Sequence, residues 1–125
     1  MLGPVGPCAN NGIIIGAENI MLDLKGFTVS GTVNSGDSAG LLMQGKSRVT
    51  VKNGRVTQFD GGVVIQNGGN NLVTNVVAED NVGASQGHPP APSTLYGDGI
   101  AIEGSSNNTV RFNTARRNGP YSGIG

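Results

Sequence analysis

Three aspartates stand just ahead of a recurring glycine: Asp37 before Gly40, Asp60 before Gly62 and Asp98 before Gly99. Carboxylates on neighbouring segments of chain can share a divalent cation or divide acid and base work. A cation site needs oxygens that converge at about 2.3–2.6 Å from the ion. Here the offsets to the glycine are three, two and one residues, which is poor registration for a common ion. Asp ahead of Gly is also ordinary turn chemistry. The turn reading comes first, and Asp37, Asp60 and Asp98 remain the weak metal candidates.

Other groups suit hydrogen bonding to hydroxyls. Gln44, Gln66 and Glu103 supply amide donors and acceptors and a carboxylate. The segment 83–98 holds the sole histidine, His88, with Tyr96 and Asp98, and is stiffened by Pro89, Pro90 and Pro92. Arg111, Arg116 and Arg117 offer cations for an acidic ligand, with solvated surface charge as the plainer reading. The sequence contains no nucleophile elbow, phosphate loop or zinc-ligand cluster, so no catalytic residue is assigned.

Composition limits what can position these groups. Of 125 residues, 22 are Gly and 6 are Pro; Trp is absent, and there are only 2 Tyr and 3 Phe. A core built on aromatics is therefore disfavoured. Eight basic and eight acidic residues cancel, so no overall basic field points to nucleic acid or an anionic membrane. No apolar run approaches the ~20 residues of a membrane span. Cys8, the single cysteine, cannot form an internal disulfide.

The positioning elements come from a repeat. Gly12-Ile13-Ile14-Ile15 returns as Gly40-Leu41-Leu42-Met43, Gly62-Val63-Val64-Ile65 and Gly99-Ile100-Ala101-Ile102, and starts again at Gly123-Ile124. Each copy is followed by a short alternating segment: 19–24, 48–53, 71–77 and 108–114. A third segment carries Val29, Val56, Val77 or Ala78, and Ala115, and Gly and Asn separate the segments. Period-two alternation in short β-branched runs means strands, and no window keeps a helical period. Three short strands in each ~22-residue repeat predict an all-β parallel β-helix of about four turns. Its inward columns would be Ile13, Leu41, Val63, Ile100, Ile124 and Ile15, Met43, Ile65, Ile102. The lack of a six-residue period excludes the left-handed hexapeptide form. Outward on the first strand lie Ile14, Leu42, Val64 and Ala101, an apolar strip that must be covered, bind a ligand or pack on another chain. Gln44, Gln66 and Glu103 follow two residues later on the same face. Asn19, Asn71 and Asn108 at the corners read as stacked structural side chains.

Three stretches resemble right-handed parallel β-helix repeat proteins of the pectate-lyase-like superfamily. They are Gly12 to Gly31, Val49-Thr-Val-Lys-Asn-Gly-Arg-Val56, and Ser105-Ser-Asn-Asn-Thr-Val-Arg-Phe-Asn-Thr-Ala-Arg-Arg-Asn118. The resemblance spans nearly everything from Gly12 to Gly125. It implies a lead-in at 1–11 and a repeat domain at 12–125 with an inserted loop at 83–98. Relatives of this type carry a second Cys ahead of a motif like Gly6-Pro7-Cys8, and a signal peptide before that. The chain is therefore expected to be a piece of a longer extracellular or periplasmic protein, cut at its C-terminal end, whose open ends or apolar strip Ile14, Leu42, Val64 would support homo-oligomers.

The resemblance implies polysaccharide as partner, with neither nucleic acid nor membrane. Gln44, Gln66, Glu103, His88, Tyr96 and Asp98 are the ligand-binding candidates, and the inserted loop is expected to overhang the first-strand face. A non-catalytic binding or scaffold role is preferred. The alternative is a lyase, hydrolase or epimerase acting on uronate-containing polymers. No cofactor is expected for binding, whereas the lyase alternative would bring Ca2+.

Overall fold

The computed structural model describes residues 11–32, 38–83, 97–119 and 123–125. It consists of two parallel sheets wound by one chain. The first sheet contains β1 (Ile13–Ile14), β4 (Ala39–Gln44), β6 (Gly61–Gln66) and β8 (Ile100–Glu103), in the order β1-β4-β6-β8. The second contains β2 (Met21–Asp23), β3 (Thr28–Ser30), β5 (Thr50–Thr57), β7 (Leu72–Glu79), β9 (Thr109–Arg111) and β10 (Thr114–Arg116). All strand pairs are parallel. No helix occurs among the described residues.

The repeated glycine motif sets the register. Ile13 pairs with Leu41, Leu41 with Val63, Val63 with Ile100, and Ile100 bridges to Ile124. Met43, Ile65 and Ile102 align in the neighbouring column. Leu41, Val63, Ile100, Met43 and Ile65 are fully buried, facing Val51, Val56, Val73, Val76 and Ala78 from the second sheet. Each such aliphatic side chain contributes at most about 1.5–3 kcal/mol by leaving water.

One expectation changes in detail. In the two middle circuits the second and third strands fuse, so β5 and β7 each run for eight residues. Asn53 and Asn75 bend them in the left-handed region, at φ 61° and 53°. β2 and β3 pair with the two halves of β5, and β9 and β10 with those of β7. The elbow thus joins two legs in every circuit. Gln58, Asp80 and Arg117 form another left-handed row at the far end of the second leg. Asn and Asp enter this region at low cost. Phe112, at φ 56° on the elbow row, does not have that excuse and is held there by its neighbours' register.

The corner asparagines satisfy backbone groups that the ladders leave over. Asn71 Oδ1 accepts from Val49 N at 3.0 Å, and Asn108 Oδ1 accepts from Asn71 N at 3.1 Å. A parallel stack was not foreseen: Asn81 Oδ1 accepts from Phe59 N, and Asn118 Oδ1 accepts from Asn81 N, each at 3.1 Å. Buried, satisfied bonds of this kind contribute about 1 kcal/mol each, and orphaning their partners costs more. Asn19 differs from the expectation. It is exposed at positive φ, and its Oδ1 accepts from Arg48 Nε, so it caps the surface instead of joining the inward stack.

Candidate functional site

The first-sheet face carries the anticipated polar row. Gln44 pairs in register with Gln66, and Gln66 with Glu103. Gln44 Nε2 donates to Gln66 Oε1 at 3.4 Å, and Gln66 Nε2 donates to Glu103 Oε2 at 3.3 Å. Parallel pairing spaces the three side chains at about 4.8 Å. The result is a ladder of donors and acceptors with its far edge in water, suited to a row of hydroxyls.

The apolar strip beside it is not the open platform that alternation suggested. Ile14 is 62% exposed, whereas Leu42 is half-buried and Val64 fully buried. Ala39, Val64 and Ala101 form a small apolar cluster against which Leu42 packs. Only the Ile14 end remains as apolar surface, because the middle of the strip is already covered.

Asp60 and Asp98 are both buried. Asp60 Oδ2 accepts from Ser38 N at 3.1 Å and from Ser38 Oγ at 2.7 Å, tying two circuits together across 22 residues. The backbone carbonyl of Asp98 accepts from Gly62 N at 3.1 Å. The Ser38–Asp60 contact is a brace between circuits and not a local turn cap. Among the described residues, no three His, Cys, Asp or Glu side chains gather as a cation cage. Asp37, His88 and Tyr96, with the loop expected over this face, lie outside the described residues.

Charge converges elsewhere, on the second leg of the second sheet. Thr57, Glu79 and Arg116 pair in one outward column, and Arg55, Val77 and Thr114 in the next. The Glu79 side chain is only 3% exposed because three guanidinium groups cover it. Arg55 Nε donates to Oε1 and Arg116 Nε to Oε2, while Arg117 Nη2 reaches Oε2 at 3.0 Å. Arg117 also grips Asp80 with Nε at 2.7 Å and Nη2 at 3.0 Å. Arg116 and Arg117 are therefore paired cations, a correction to the solvated reading. Arg111 instead lies over the Phe112 ring, 5.6 Å from its centroid. Sequence reasoning missed Arg55 and Glu79. Aligning the third segments on Val56, Ala78 and Ala115 would have placed Glu79 beside Arg116, one position past the core residue in each.

Hydrogen bonds from Arg116 and then Arg55 hold the Glu79 carboxyl below its ordinary value of 4.5. Arg117 does the same for Asp80, below 3.8. A lowered folded pKa stabilises the fold above the unfolded pKa, and that contribution is lost as pH falls through the folded value. Glu79→Gln should therefore lower Tm at neutral pH by an amount that stays constant down to about pH 5. Below that, the gap between variant and parent should close as Glu79 takes up its proton. Thermal melts from pH 7 to pH 2 test this, and a gap that persisted at the acid end would remove the ion cluster as its cause.

No curated protein and no solved structure matches the chain. The model of the right-handed beta helix region matches residues 7–125. With its parallel sheets, stacked aliphatic columns and asparagine corners, the chain belongs to the right-handed beta helix family.

Proposed function

We propose that the chain is a non-catalytic polysaccharide-binding or scaffold surface that works outside the cytoplasm. The observation that carries this reading is the Gln44–Gln66–Glu103 ladder on the first-sheet face. Its three side chains are evenly spaced, outward and rich in groups that match hydroxyls. Binding along a ladder needs no acid or base. Asp60 and Asp98 are buried, with Asp60 bound to Ser38, and the charged cluster lies on the other sheet.

A panel of neutral and acidic polysaccharides, assayed with and without Ca2+, tests the proposal. Binding without new unsaturated uronate ends or reducing ends is the expected result. Gln66→Ala should weaken that binding by about two- to tenfold, the worth of one or two hydrogen bonds. Turnover of any polymer would replace the binding role with an enzymatic one. A panel with neither binding nor turnover would leave the polysaccharide reading without support.

A further inference from the structure

Four Asn-Gly pairs occur in the chain: Asn11-Gly12, Asn53-Gly54, Asn67-Gly68 and Asn118-Gly119. Such a pair carries latent chemistry. The backbone nitrogen of the glycine can attack the side-chain amide of the asparagine, and glycine has no Cβ to obstruct it. A fold suppresses the reaction by hydrogen bonds that hold either group in place, which must open first. Three of the pairs are held at both residues. Asn11 Oδ1 accepts from Ala39 N at 2.7 Å, and Gly12 N donates to Ala39 O at 2.9 Å. Asn118 Oδ1 accepts from Asn81 N at 3.1 Å, its Nδ2 donates to Ala78 O at 2.9 Å, and Gly119 N donates to Asn81 O at 3.0 Å. Asn53 Oδ1 accepts from Asn75 Nδ2 at 2.8 Å and its Nδ2 donates to Asp23 Oδ1 at 3.2 Å, while Gly54 sits inside the β5–β7 ladder opposite Val76.

Asn67-Gly68 is held at neither reacting group. The pair turns the corner just past β6, with Asn67 exposed at φ 53°. The Asn67 backbone N–H donates to Glu103 O at 2.9 Å, but its side-chain amide has no hydrogen-bond partner among the described residues. Its Oδ1 instead lies over Gly104, 2.6 Å from where a Cβ of that residue would stand. The Gly68 N–H likewise meets no acceptor among the described residues. The bonds on either side of it are made: Gly69 N donates to Lys46 O at 3.3 Å, and Asn70 N donates to Ser106 O at 3.0 Å. Among the four pairs, this corner alone leaves both the nitrogen that attacks and the amide that is attacked without a hydrogen bond.

We propose that Asn67 is the deamidation site of the folded protein, reacting with its own backbone and with water. Gly68 N gives up its proton and bonds to Asn67 Cγ. The Cγ–Nδ2 bond breaks, and Nδ2 leaves as ammonia with that proton. Water then opens the cyclic imide. Opening at Cγ gives aspartate; opening at the backbone carbonyl of residue 67 gives isoaspartate, in which the main chain runs through Cβ and Cγ. Either product puts a carboxylate next to Gln66, one circuit below Glu103, on a chain whose formal net charge is zero. The isoaspartyl form also lengthens the main chain by a methylene at a tightly packed corner, where a Cβ on Gly68 would stand 2.0 Å from Lys46 O. The reaction does not depend on what the first-sheet ladder binds.

Incubation of the native protein in mildly alkaline buffer, followed by tryptic peptide mapping and mass spectrometry, tests the proposal. Cleavage after Lys25, Lys52, Arg55, Arg111 and Arg117 puts the four pairs in separate peptides. Asn67 should convert at least about tenfold faster than Asn11, Asn53 or Asn118, because each of those must first lose its bonds through local opening. In guanidinium chloride, where the fold is gone, the four should convert at comparable rates. Asn67→Gln, whose amide would have to close a larger ring, should remove the fast conversion and leave the other three sites unchanged. The position is exposed, and circular dichroism checks that the variant folds; the comparison of the four sites in the parent stands without it. A lead for any other pair, equal rates for all four in the native protein, or a lead for Asn67 that persists undiminished in guanidinium chloride would each overturn the proposal.

Discussion

Replacing Gly62 by alanine is expected to destabilise the fold by about 2–4 kcal/mol, even though it adds a single methyl group. A Cβ at Gly62 would sit 2.2 Å from the carbonyl oxygen of Gly99 and 2.9 Å from Asn81 Nδ2. The first obstacle is backbone, and it is occupied: Gly99 O accepts the ladder bond from Val63 N at 2.9 Å. Room for the methyl can come only from moving the next circuit, which weakens that bond. The same geometry recurs along the column. A Cβ at Gly12 would meet Gly40 O at 2.5 Å, at Gly40 would meet Gly62 O at 2.8 Å, and at Gly99 would meet Gly123 O at 2.6 Å. Close approach, not positive φ, explains why the motif opens on glycine each time. Gly16, with nothing within 4 Å of its Cβ position, is the control; Gly16→Ala should be neutral or stabilising by about 0.5 kcal/mol through the unfolded chain. Urea unfolding followed by circular dichroism reads both changes. A Gly62→Ala midpoint as high as the parent's would mean that the stack yields easily at this column.

This column also shows why the fold was legible and the functional face less so. The Gly-apolar-x-apolar motif encodes packing along the axis, and packing repeats: Leu41, Val63 and Ile100 must stack because each circuit buries the next one's aliphatic face. The first-sheet ladder was legible for the same reason, since Gln44, Gln66 and Glu103 inherit the register of the core residues beside them. The covering of Val64 could not be read from alternation, because alternation gives only which side of the strand a residue faces. Glu79 was missed on different grounds. Its partners Arg55, Arg116 and Arg117 come from two circuits, one on each side of its own, and from three columns, so their meeting depends on side-chain reach. A carboxylate at an outward strand position reads as solvated until three guanidinium groups are found to cover it.

The scarcity of aromatics suggested an interior without them, yet the largest fully buried side chain is Phe59. Its ring lies where three glycines leave space. Cβ atoms at Gly31, Gly12 and Gly40 would fall 2.4, 2.9 and 2.9 Å from ring carbons of Phe59. Glycines and ring are therefore one packing unit, with a single aromatic filling what several side chains would otherwise fill. Phe59→Ala should cost about 3–5 kcal/mol, because the glycines around the cavity have no side chains with which to collapse into it. Against the 5–15 kcal/mol typical of a domain, that leaves little margin. Phe59→Leu should cost about 1–2 kcal/mol and remain folded. The coupling can be isolated at Gly31, where all three nearest atoms belong to Phe59. Gly31→Ala should be destabilising in the parent and milder in the Phe59→Leu background, with an interaction energy of about 0.5 kcal/mol or more. Denaturant unfolding of the four proteins in that double-mutant cycle provides the measurement. Additive effects would mean that the ring and the glycines are packed independently and that the space at Gly31 has some other cause.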